Sequence, residues 1–278
     1  MNTVIIANPT SGSYNKELLE SCASVLRKRF GDVSIEHTKA PNEAGKIARS
    51  ANADLVIAAG GDGLINEVAA GMVGKTNTLF TALPFGTVNV FCREFKIPLN
   101  PLKAAERFNP DSTKLIPIGF LGDRPFVLMC GFGYDADVVR SVVAKKYKKH
   151  KTLAHIKEGI LSLNNSYPRL TVYINGKEIH AYHIIISLGH LYAGNFSLSN
   201  SIKDNKLNVF LQGGNKMGSL LYSTFTMAMG GGFPTAPIYA DSMKVVGTNH
   251  AQADGEYIDT EIIQNYVHIQ KSALRIIM

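Results

Sequence analysis

The chain has 278 residues, enough for two domains of ordinary size, and 45% of them are hydrophobic and 18% charged. No apolar run approaches the length of a membrane-spanning helix and the N-terminus lacks the pattern of a signal peptide, so a cytoplasmic protein is expected. The net charge of +7 favours an anionic partner, and composition leaves open nucleic acid, an acidic membrane surface or a polyphosphate ligand. The three cysteines lack metal-ligand spacing and are expected to be buried free thiols.

The first 114 residues alternate between apolar, β-branched runs and helical segments. The predicted strands cover 4–8, 33–38, 54–58 and 79–83, and the predicted helices cover 16–29, 42–52 and 66–73. This alternation predicts an α/β domain over 1–114, with a mostly parallel sheet and helices on both faces. Ligands of such sheets bind at the carboxyl ends of the strands, and the glycine-rich stretches all fall there.

One glycine-rich turn, Gly60-Gly61-Asp62-Gly63, connects the third predicted strand to a helix. The free N–H groups and the helix dipole at such a turn form a candidate phosphate cradle. A carboxylate beside phosphates needs a cation between them, so Asp62 is interpreted as a direct or water-mediated Mg²⁺ contact. The alternative is that Asp62 only caps a helix, and the tetrapeptide alone leaves these two interpretations level.

From about residue 115 short β-type runs replace the alternation and predict a β-rich domain over 115–278. The runs cover 115–120, 124–130, 169–174, 183–187, 206–211 and 243–246, and Asn175-Gly176 is typical of a hairpin turn. Between them lies a helical stretch, 137–164, that contains the basic run 145–151. That run is either a solvated helix end or a contact with anionic lipid headgroups, and the net charge mildly favours the second interpretation.

Four ordered stretches resemble the diacylglycerol kinase catalytic family, which includes bacterial lipid kinases and the eukaryotic sphingosine and ceramide kinases. They are residues 8–12 (Asn-Pro-Thr-Ser-Gly), 60–68, 83–91 (Leu-Pro-Phe-Gly-Thr-Val-Asn-Val-Phe) and 254–256 (Asp-Gly-Glu). The resemblance spans nearly the whole chain. It implies an NAD kinase-like fold with the nucleotide site in the cleft between the domains, and it implies that the last run, 273–278, returns to the first domain.

The resemblance further implies ATP and Mg²⁺ as cofactors. The implied nucleotide-binding residues are Asn8, Pro9, Thr10, Ser11, Gly12, Thr38, Gly60, Gly61, Asp62, Gly63, Leu64, Ile65, Asn66, Gly86, Thr87 and Asn89. Two positions depart from the usual family pattern. Leu64 stands where many members carry Thr, and Val90 stands where Asp usually follows the Asn. Loss of the Thr hydroxyl removes one hydrogen bond, worth about 1 kcal/mol, although sphingosine kinases also have Leu there.

By the same resemblance Glu256 is the catalytic base, and Asp254 is a catalytic residue that lies near the metal or orients the acceptor. The alternative is an ordinary Asp-Gly turn between strands. The resemblance also implies a structural Mg²⁺ bound by the carboxylate of Asp204 and the backbone carbonyls of Ser201 and Lys206. Asn205 replaces the usual Gly there, which Asn can partly imitate in left-handed geometry, and a plain turn is the alternative.

The leading hypothesis is therefore an ATP-dependent lipid kinase that transfers the γ-phosphoryl group to a lipid hydroxyl, most simply that of diacylglycerol. Such an enzyme would associate peripherally with an anionic membrane surface. The alternatives are an NAD kinase-like enzyme and a non-catalytic nucleotide- or lipid-binding regulatory protein. Nucleic acid is not expected as a partner, and exposed strand edges in the second domain could pair across a homodimer.

Overall fold

The computed structural model describes residues 1–145, 157–159, 161–162, 165, 167–192, 194, 196–214, 217–259 and 265–277. The chain divides into two compact units. Unit 1 comprises Met1–Ile118 and Lys271–Met278, and unit 2 comprises Gly119–Gln270. Within the described ranges, no helix is both long and apolar enough to cross a membrane.

Unit 1 is built on a parallel sheet. Its strands are β1 (Thr3–Ala7), β2 (Val33–His37), β3 (Leu55–Gly60), β4 (Leu79–Pro84) and the final part of β18 (Tyr266–Ile277). They follow one another in the order β2-β1-β3-β4-β18, and each pair is parallel. Every residue of β3 is buried, as expected for the aliphatic central strand of a sheet covered on both faces. The predicted α/β architecture is confirmed.

The helices of unit 1 are α1 (Lys16–Phe30), α2 (Ala44–Ser50), α3 (Asp62–Met72), α4 (Val90–Glu94) and α5 (Pro101–Arg107). The side chain of Asn15 starts α1 by accepting a hydrogen bond of 2.7 Å from the N–H of Leu18. Helices α2 and α3 approach closely at two glycines. A Cβ on Gly71 would lie 2.2 Å from the carbonyl oxygen of Gly45, so this packing requires glycine.

Helix α3 begins at Asp62, four residues before the predicted start at 66. Gly61 has an extended backbone and is the N-cap, so Asp62 lies in the first turn, where the helix dipole favours a carboxylate. Half of the glycine-rich turn is therefore helical. The free N–H groups of this first turn face the edge of the sheet at which β3 ends.

Unit 2 is rich in β-strands, as predicted, and the strands pair in antiparallel fashion. One sheet has the order β14 (Ile238–Ala240), β13 (Leu207–Gln212), β10 (His183–Ser187), β7 (Met129–Phe132), β16 (His250–Ala253) and β17 (Glu256–Asp259). A second set pairs the start of β18 with β15 (Ser242–Val246), β8 (Leu170–Ile174) and β9 (Lys177–Ala181). The remaining strands are β5 (Thr113–Leu121), which has nine residues and runs from unit 1 into unit 2, and the short strands β6 (Arg124–Phe126), β11 (Leu191–Tyr192) and β12 (Phe196–Ser197). Aliphatic and aromatic side chains from both sheets form one buried cluster.

Two helices of unit 2 matter for the sites below, α6 (Tyr134–Ala144) and α7 (Met217–Ala228). The predicted hairpin at Asn175-Gly176 is confirmed, since both residues have positive φ and join β8 to β9. The basic run 145–151 lies outside the described residues apart from Lys145. The thiols of Cys22, Cys92 and Cys130 are free and buried, as expected.

Candidate functional site

The predicted nucleotide-binding residues all lie in unit 1, in segments that directly follow a strand. Residues 8–12 follow β1, Thr38 follows β2, 60–66 include the end of β3, and 86–89 follow β4. The four strands are parallel neighbours, so these segments meet at one edge of the sheet. The structure thus brings the sixteen predicted positions to one edge.

Two of these segments touch through their backbones. The N–H of Phe85 donates a hydrogen bond of 3.0 Å to the carbonyl oxygen of Gly60. A Cβ on Gly86 would lie 2.5 Å from the Cα of Gly61, and a Cβ on Gly60 would lie 2.5 Å from the side chain of Leu64. The fold itself therefore requires two of these glycines, Gly60 and Gly86.

Gly63 differs from Gly60 and Gly86. A Cβ built on Gly63 meets nothing within 4 Å, and its φ is not in the left-handed region. Gly63 is exposed and lies in the first turn of α3, where Ala would favour the helix by about 1 kcal/mol. The fold of unit 1 thus supplies no reason for glycine at this position. A ligand that approaches the backbone closely would supply one.

The carboxylate of Asp62 is largely buried. The N–H of Phe91, in the first turn of α4, donates a hydrogen bond of 3.1 Å to its Oδ1. Burial raises the pKa of Asp62, and backbone N–H groups at the start of α4 oppose that rise. Asp62 thus does cap a helix, but the helix is α4 and not the one that follows it in sequence. A carboxylate kept in a desolvating pocket is also a site at which a cation is stabilised.

Asn66 lies one helical turn after Asp62. Both polar atoms of its amide group are buried and have no hydrogen-bond partner among the described residues. Buried polar groups are nearly always paired, so this amide marks a place where a ligand or a water belongs. Leu64 and Ile65 are 7% and 0% exposed, so their side chains are part of the core and only their backbone groups can meet a ligand.

The side chains of Asn8 and Asn89 shape their own turns. The amide oxygen of Asn8 accepts hydrogen bonds of 2.8 Å from both the N–H and the hydroxyl of Thr10. Asn89 has a left-handed backbone with φ of 54°, and its buried amide exchanges two hydrogen bonds with the backbone of Gly86, at 3.0 and 2.9 Å. Each side chain thus fixes the conformation of its own loop, Asn8 that of the loop after β1 and Asn89 that of the loop after β4. Thr87 is exposed next to them.

The first part of the chain lacks a cluster of metal-binding side chains around Asp62. Indeed, nowhere in the described residues do three or more His, Cys, Asp or Glu side chains gather where they could hold a metal ion. Mg²⁺ at nucleotide sites takes one or two carboxylates, several waters and the phosphates themselves. One desolvated carboxylate beside a glycine-rich turn fits that pattern.

The two predicted catalytic residues lie in unit 2, on the hairpin between β16 and β17. Asp254 and Gly255 have φ of 47° and 81° and form its two-residue turn, as the alternative interpretation of this stretch predicted. The carboxylate of Glu256 lies 2.7 Å from the guanidinium of Arg124, and both side chains are about half exposed. Glu256 is thus accessible to an acceptor.

Asp254 has a structural task. Its Oδ2 accepts a hydrogen bond of 2.6 Å from the N–H of Val127, and its Oδ1 accepts bonds of 2.9 Å from Leu128 and Met129. Two of these N–H groups belong to the residues between β6 and β7, and the third belongs to Met129, the first residue of β7. The carboxylate therefore clamps that segment to the hairpin that presents Glu256.

The predicted structural metal site lies in the loop before β13. The hydroxyl of Tyr239 donates a hydrogen bond of 2.7 Å to the carbonyl oxygen of Ser201, and the amide of Asn208 donates one of 3.0 Å to that of Lys206. The Lys206 ammonium pairs with Asp241 at 2.9 Å. Each carbonyl keeps a second lone pair, and Asp204 supplies the carboxylate, so this donor set suits an Mg²⁺ that retains waters. Asn205 has φ of 56°, the left-handed geometry expected of it.

Unit 2 also contains a polar groove that the sequence did not indicate. Its volume is about 490 Å³, and its lining comprises Gly133, Asp137, Arg140, Asn165, Tyr167, Pro168, Thr248 and His250. Asp137 accepts hydrogen bonds from Arg140 (2.6 Å) and from the amide of Asn165 (2.7 Å). Burial and the nearby Asp137 charge raise the pKa of Tyr167, so its hydroxyl stays neutral. The lining residues come from separate elements, and no single motif could have revealed them.

The fold and the edge described above place unit 1 in the class of open α/β proteins whose ligands bind at the carboxyl ends of parallel strands. Residues 2–121 match the model of the diacylglycerol kinase catalytic domain. Over these residues the chain is similar to the diacylglycerol kinase catalytic domain. The resemblance seen in the sequence is confirmed.

Relatives in sequence and in structure agree with the match to the diacylglycerol kinase catalytic domain. The chain is 32% identical over 173 residues to a diacylglycerol kinase of Bacillus subtilis (59% of this chain, 56% of the relative). It is 31% identical over 142 residues to a diacylglycerol kinase of Staphylococcus aureus (46% of this chain, 42% of the relative). The chain thus spans about half the length of the curated relatives it matches. A crystal structure of a diacylglycerol kinase from Bacillus anthracis has the same fold, with a TM-score of 0.79 at 20% identity over 99% of this chain and 96% of that one.

Proposed function

We propose that this chain is a lipid kinase that transfers the γ-phosphoryl group of ATP to the hydroxyl of a lipid, with diacylglycerol as the simplest acceptor. The observation that carries the proposal is Gly63, a helical glycine that the fold does not require, in the first turn of α3. A bound phosphate explains it, because a Cβ there would occupy space that the phosphate needs. The names of the relatives support diacylglycerol as the acceptor.

Different residues around Gly63 would contact different parts of the bound nucleotide and its metal ion. The N–H groups of the first turn of α3 bind phosphate oxygens, and the unpaired amide of Asn66 hydrogen-bonds to the same ligand. The Asn8 and Gly86 turns close the site from either side. Asp62 would hold Mg²⁺ directly or through water, and the bound ion would neutralise charge on the phosphates.

The acceptor side of the reaction belongs to unit 2. Glu256 would accept the proton of the lipid hydroxyl as it attacks, and its exposure leaves the carboxylate accessible to that hydroxyl. Asp254 is a positioning residue that fixes the hairpin. The polar groove at Asp137 offers a carboxylate, an amide and a guanidinium, which suit the hydroxyl and ester groups of a lipid headgroup.

The proposal includes an anionic membrane surface as the place of encounter and ATP as the donor. The net charge of +7 supports the first, because it attracts the chain to acidic lipid. The match of residues 2–121 to a kinase catalytic domain supports ATP as the donor, because phosphoryl transfer needs a donor that the glycine-rich edge can hold. Attachment would be peripheral and reversible.

The test is transfer of labelled γ-phosphate from ATP with Mg²⁺ to a panel of lipids in mixed micelles. The decisive variant is Glu256→Gln, which keeps the size of the side chain and removes the base. The matched control is Arg124→Gln, which breaks the same exposed ion pair but keeps the carboxylate. We expect transfer to fall roughly 100-fold or more in the first variant and to change less than tenfold in the second.

Other outcomes point elsewhere. Equal loss in both variants would mean that the ion pair, and not the base, is what matters at Glu256. Phosphorylation of NAD alone would favour the NAD kinase-like alternative. ATP binding with no transfer to any acceptor would favour a regulatory protein. Two observations are compatible with that alternative: the side chain of Leu64 is buried, and the carboxylate of Asp254 is already hydrogen-bonded to the backbone.

A further inference from the structure

Helix α7 is apolar on two opposite faces, although only one of them is packed. Leu220, Ser223 and Met227 are 2–4% exposed and face the interior of unit 2. By contrast, large apolar side chains that are 46–72% exposed lie on the other face. They are Leu221, Tyr222 and Phe225 of the helix and Met229, which directly follows it and still donates its N–H to the carbonyl oxygen of Phe225.

The exposed side chains form one continuous strip. At about 100° per residue, all four fall within an arc of about 100°, centred opposite the packed face. The strip is defined by Leu221, Tyr222, Phe225 and Met229, and Thr224 and Thr226 lie beyond its two edges. Residues 217–240 contain no charged side chain. Scattered exposed apolar residues need no explanation, but a contiguous aromatic and aliphatic strip indicates a binding surface.

The strip lies close to the groove at Asp137. Leu220, on the packed face of the same helix, forms a buried cluster with Tyr167, and Tyr167 also lines the groove. The helix is therefore one layer of side chains away from the place where an acceptor headgroup would lie. A lipid drawn from a bilayer under α7 would have a short path to it.

We propose that this exposed strip of α7 inserts into the interface of a bilayer that contains anionic lipid. The inference rests on the proposed function, because it takes the acceptor to be a lipid. The strip has the chemistry of an interfacial anchor, with Tyr222 and Phe225 suited to the headgroup boundary. The chain's charge of +7 supplies the complementary attraction to an acidic surface.

A second copy of the chain is a poorer occupant. The helix is about 18 Å long and about 10 Å wide, so the strip falls well short of the roughly 800 Å² per partner of a stable dimer. Two chains of +7 would also repel each other. An anionic bilayer has neither limitation.

The test uses the fact that the chain contains no tryptophan. Phe225→Trp places a single emitter on the strip, and Leu99→Trp places one at an exposed position of unit 1 as the matched control. With vesicles of phosphatidylcholine and phosphatidylglycerol, we expect a blue shift and quenching by brominated acyl chains for the first variant only. An emission that vesicles leave unchanged would overturn the proposal, and so would a blue shift that grows with protein concentration in the absence of lipid.

A second pair of variants separates docking from chemistry. Leu221→Ser combined with Phe225→Ser should lower the vesicle partition coefficient roughly tenfold or more, while Tyr173→Ser, at a comparably exposed site, should not. The double variant should still phosphorylate a short-chain, water-soluble diacylglycerol at the wild-type rate. Insertion without phosphorylation of any lipid by the wild type would support docking and defeat the proposed function. Unchanged partition of the double variant would defeat docking alone.

Discussion

Gly61 and Gly86 lie backbone against backbone, and a Cβ on Gly86 would come within 2.5 Å of the Cα of Gly61. The contact joins the turn after β3 to the turn after β4. It holds the first turn of α3 and the Asn89 loop in one fixed arrangement, since Asn89 is itself bonded to Gly86. The fold requires glycine at 86, whereas a Cβ at 63 would meet nothing within 4 Å, so the fold places no such requirement there.

This difference predicts opposite effects for two identical substitutions. Gly86→Ala should lower the free energy of unfolding by about 1–3 kcal/mol, because the two turns must separate. Gly63→Ala should raise it by about 0.5–1 kcal/mol, because Ala favours the helix and meets open space. Chemical denaturation followed by circular dichroism measures both.

The same pair tests the phosphate site. Nucleotide affinity measured by calorimetry should fall roughly tenfold or more in Gly63→Ala, even though that variant is the more stable one. A stable Gly63→Ala protein with wild-type affinity for ATP would mean that no phosphate approaches this turn.

Asp62 gives a prediction about pH. Burial raises its pKa in the folded protein above the value in the unfolded chain, so the folded state binds more protons in that window. Ionised Asp62 then costs stability, and the cost grows as pH rises from about 4 through the raised pKa. Asp62→Asn removes the charge and keeps an oxygen that can accept the N–H of Phe91.

The variant should therefore be more stable than the wild type at pH 7, with Tm higher by roughly 2–4 °C, and the difference should vanish near pH 4. Phosphoryl transfer should fall roughly 100-fold or more, because the charge that would hold Mg²⁺ is gone. Calorimetric scans across pH and the transfer assay measure the two effects. A variant that is less stable at pH 7 would show that the charge of Asp62 serves the fold.

Much of this architecture could be predicted from local patterns. Strand β3 is a run of aliphatic residues that ends in glycines, and such a run specifies both a buried strand and its loop. The start of α3 was placed four residues late, because glycines after a strand suggest a turn and conceal that Gly63 can be helical. The sequence also does not reveal the packing role of Leu64. Its position suggested a lost hydroxyl contact, whereas its side chain packs on Gly60.

The features that local patterns do not predict depend on residues far apart in the chain. The donors to Asp254 are 125–127 residues away in the chain, so its clamp on the segment after β6 has no local signal. The groove at Asp137 combines α6 with residues near 165 and 250, and its polar residues look ordinary in sequence. The roles of the predicted site residues in binding and catalysis stay predictions.

Asp254 and Glu256 should separate stability from activity. Asp254→Asn keeps one acceptor oxygen but turns an N–H₂ group toward the N–H of Val127, which should cost about 1–3 kcal/mol. Glu256→Gln should change the free energy of unfolding by less than about 1 kcal/mol, because its ion pair is exposed. Thermal denaturation of both variants measures this. Equal destabilisation would contradict the assignment of the clamp to Asp254 alone.

Asp204 predicts how the protein responds to magnesium. If its carboxylate and the carbonyls of Ser201 and Lys206 hold Mg²⁺ in unit 2, the ion binds the folded state and should raise Tm by mass action. Asp204→Asn weakens the site and should abolish most of that rise, whereas Asp123→Asn, an exposed control in the same unit, should retain it. Scans with chelator and with millimolar Mg²⁺, all without nucleotide, exclude the contribution of an ATP-bound ion. An equal rise in all three proteins would place the ion elsewhere, and no rise in the wild type would leave Asn208 and Tyr239 as sufficient partners for the loop.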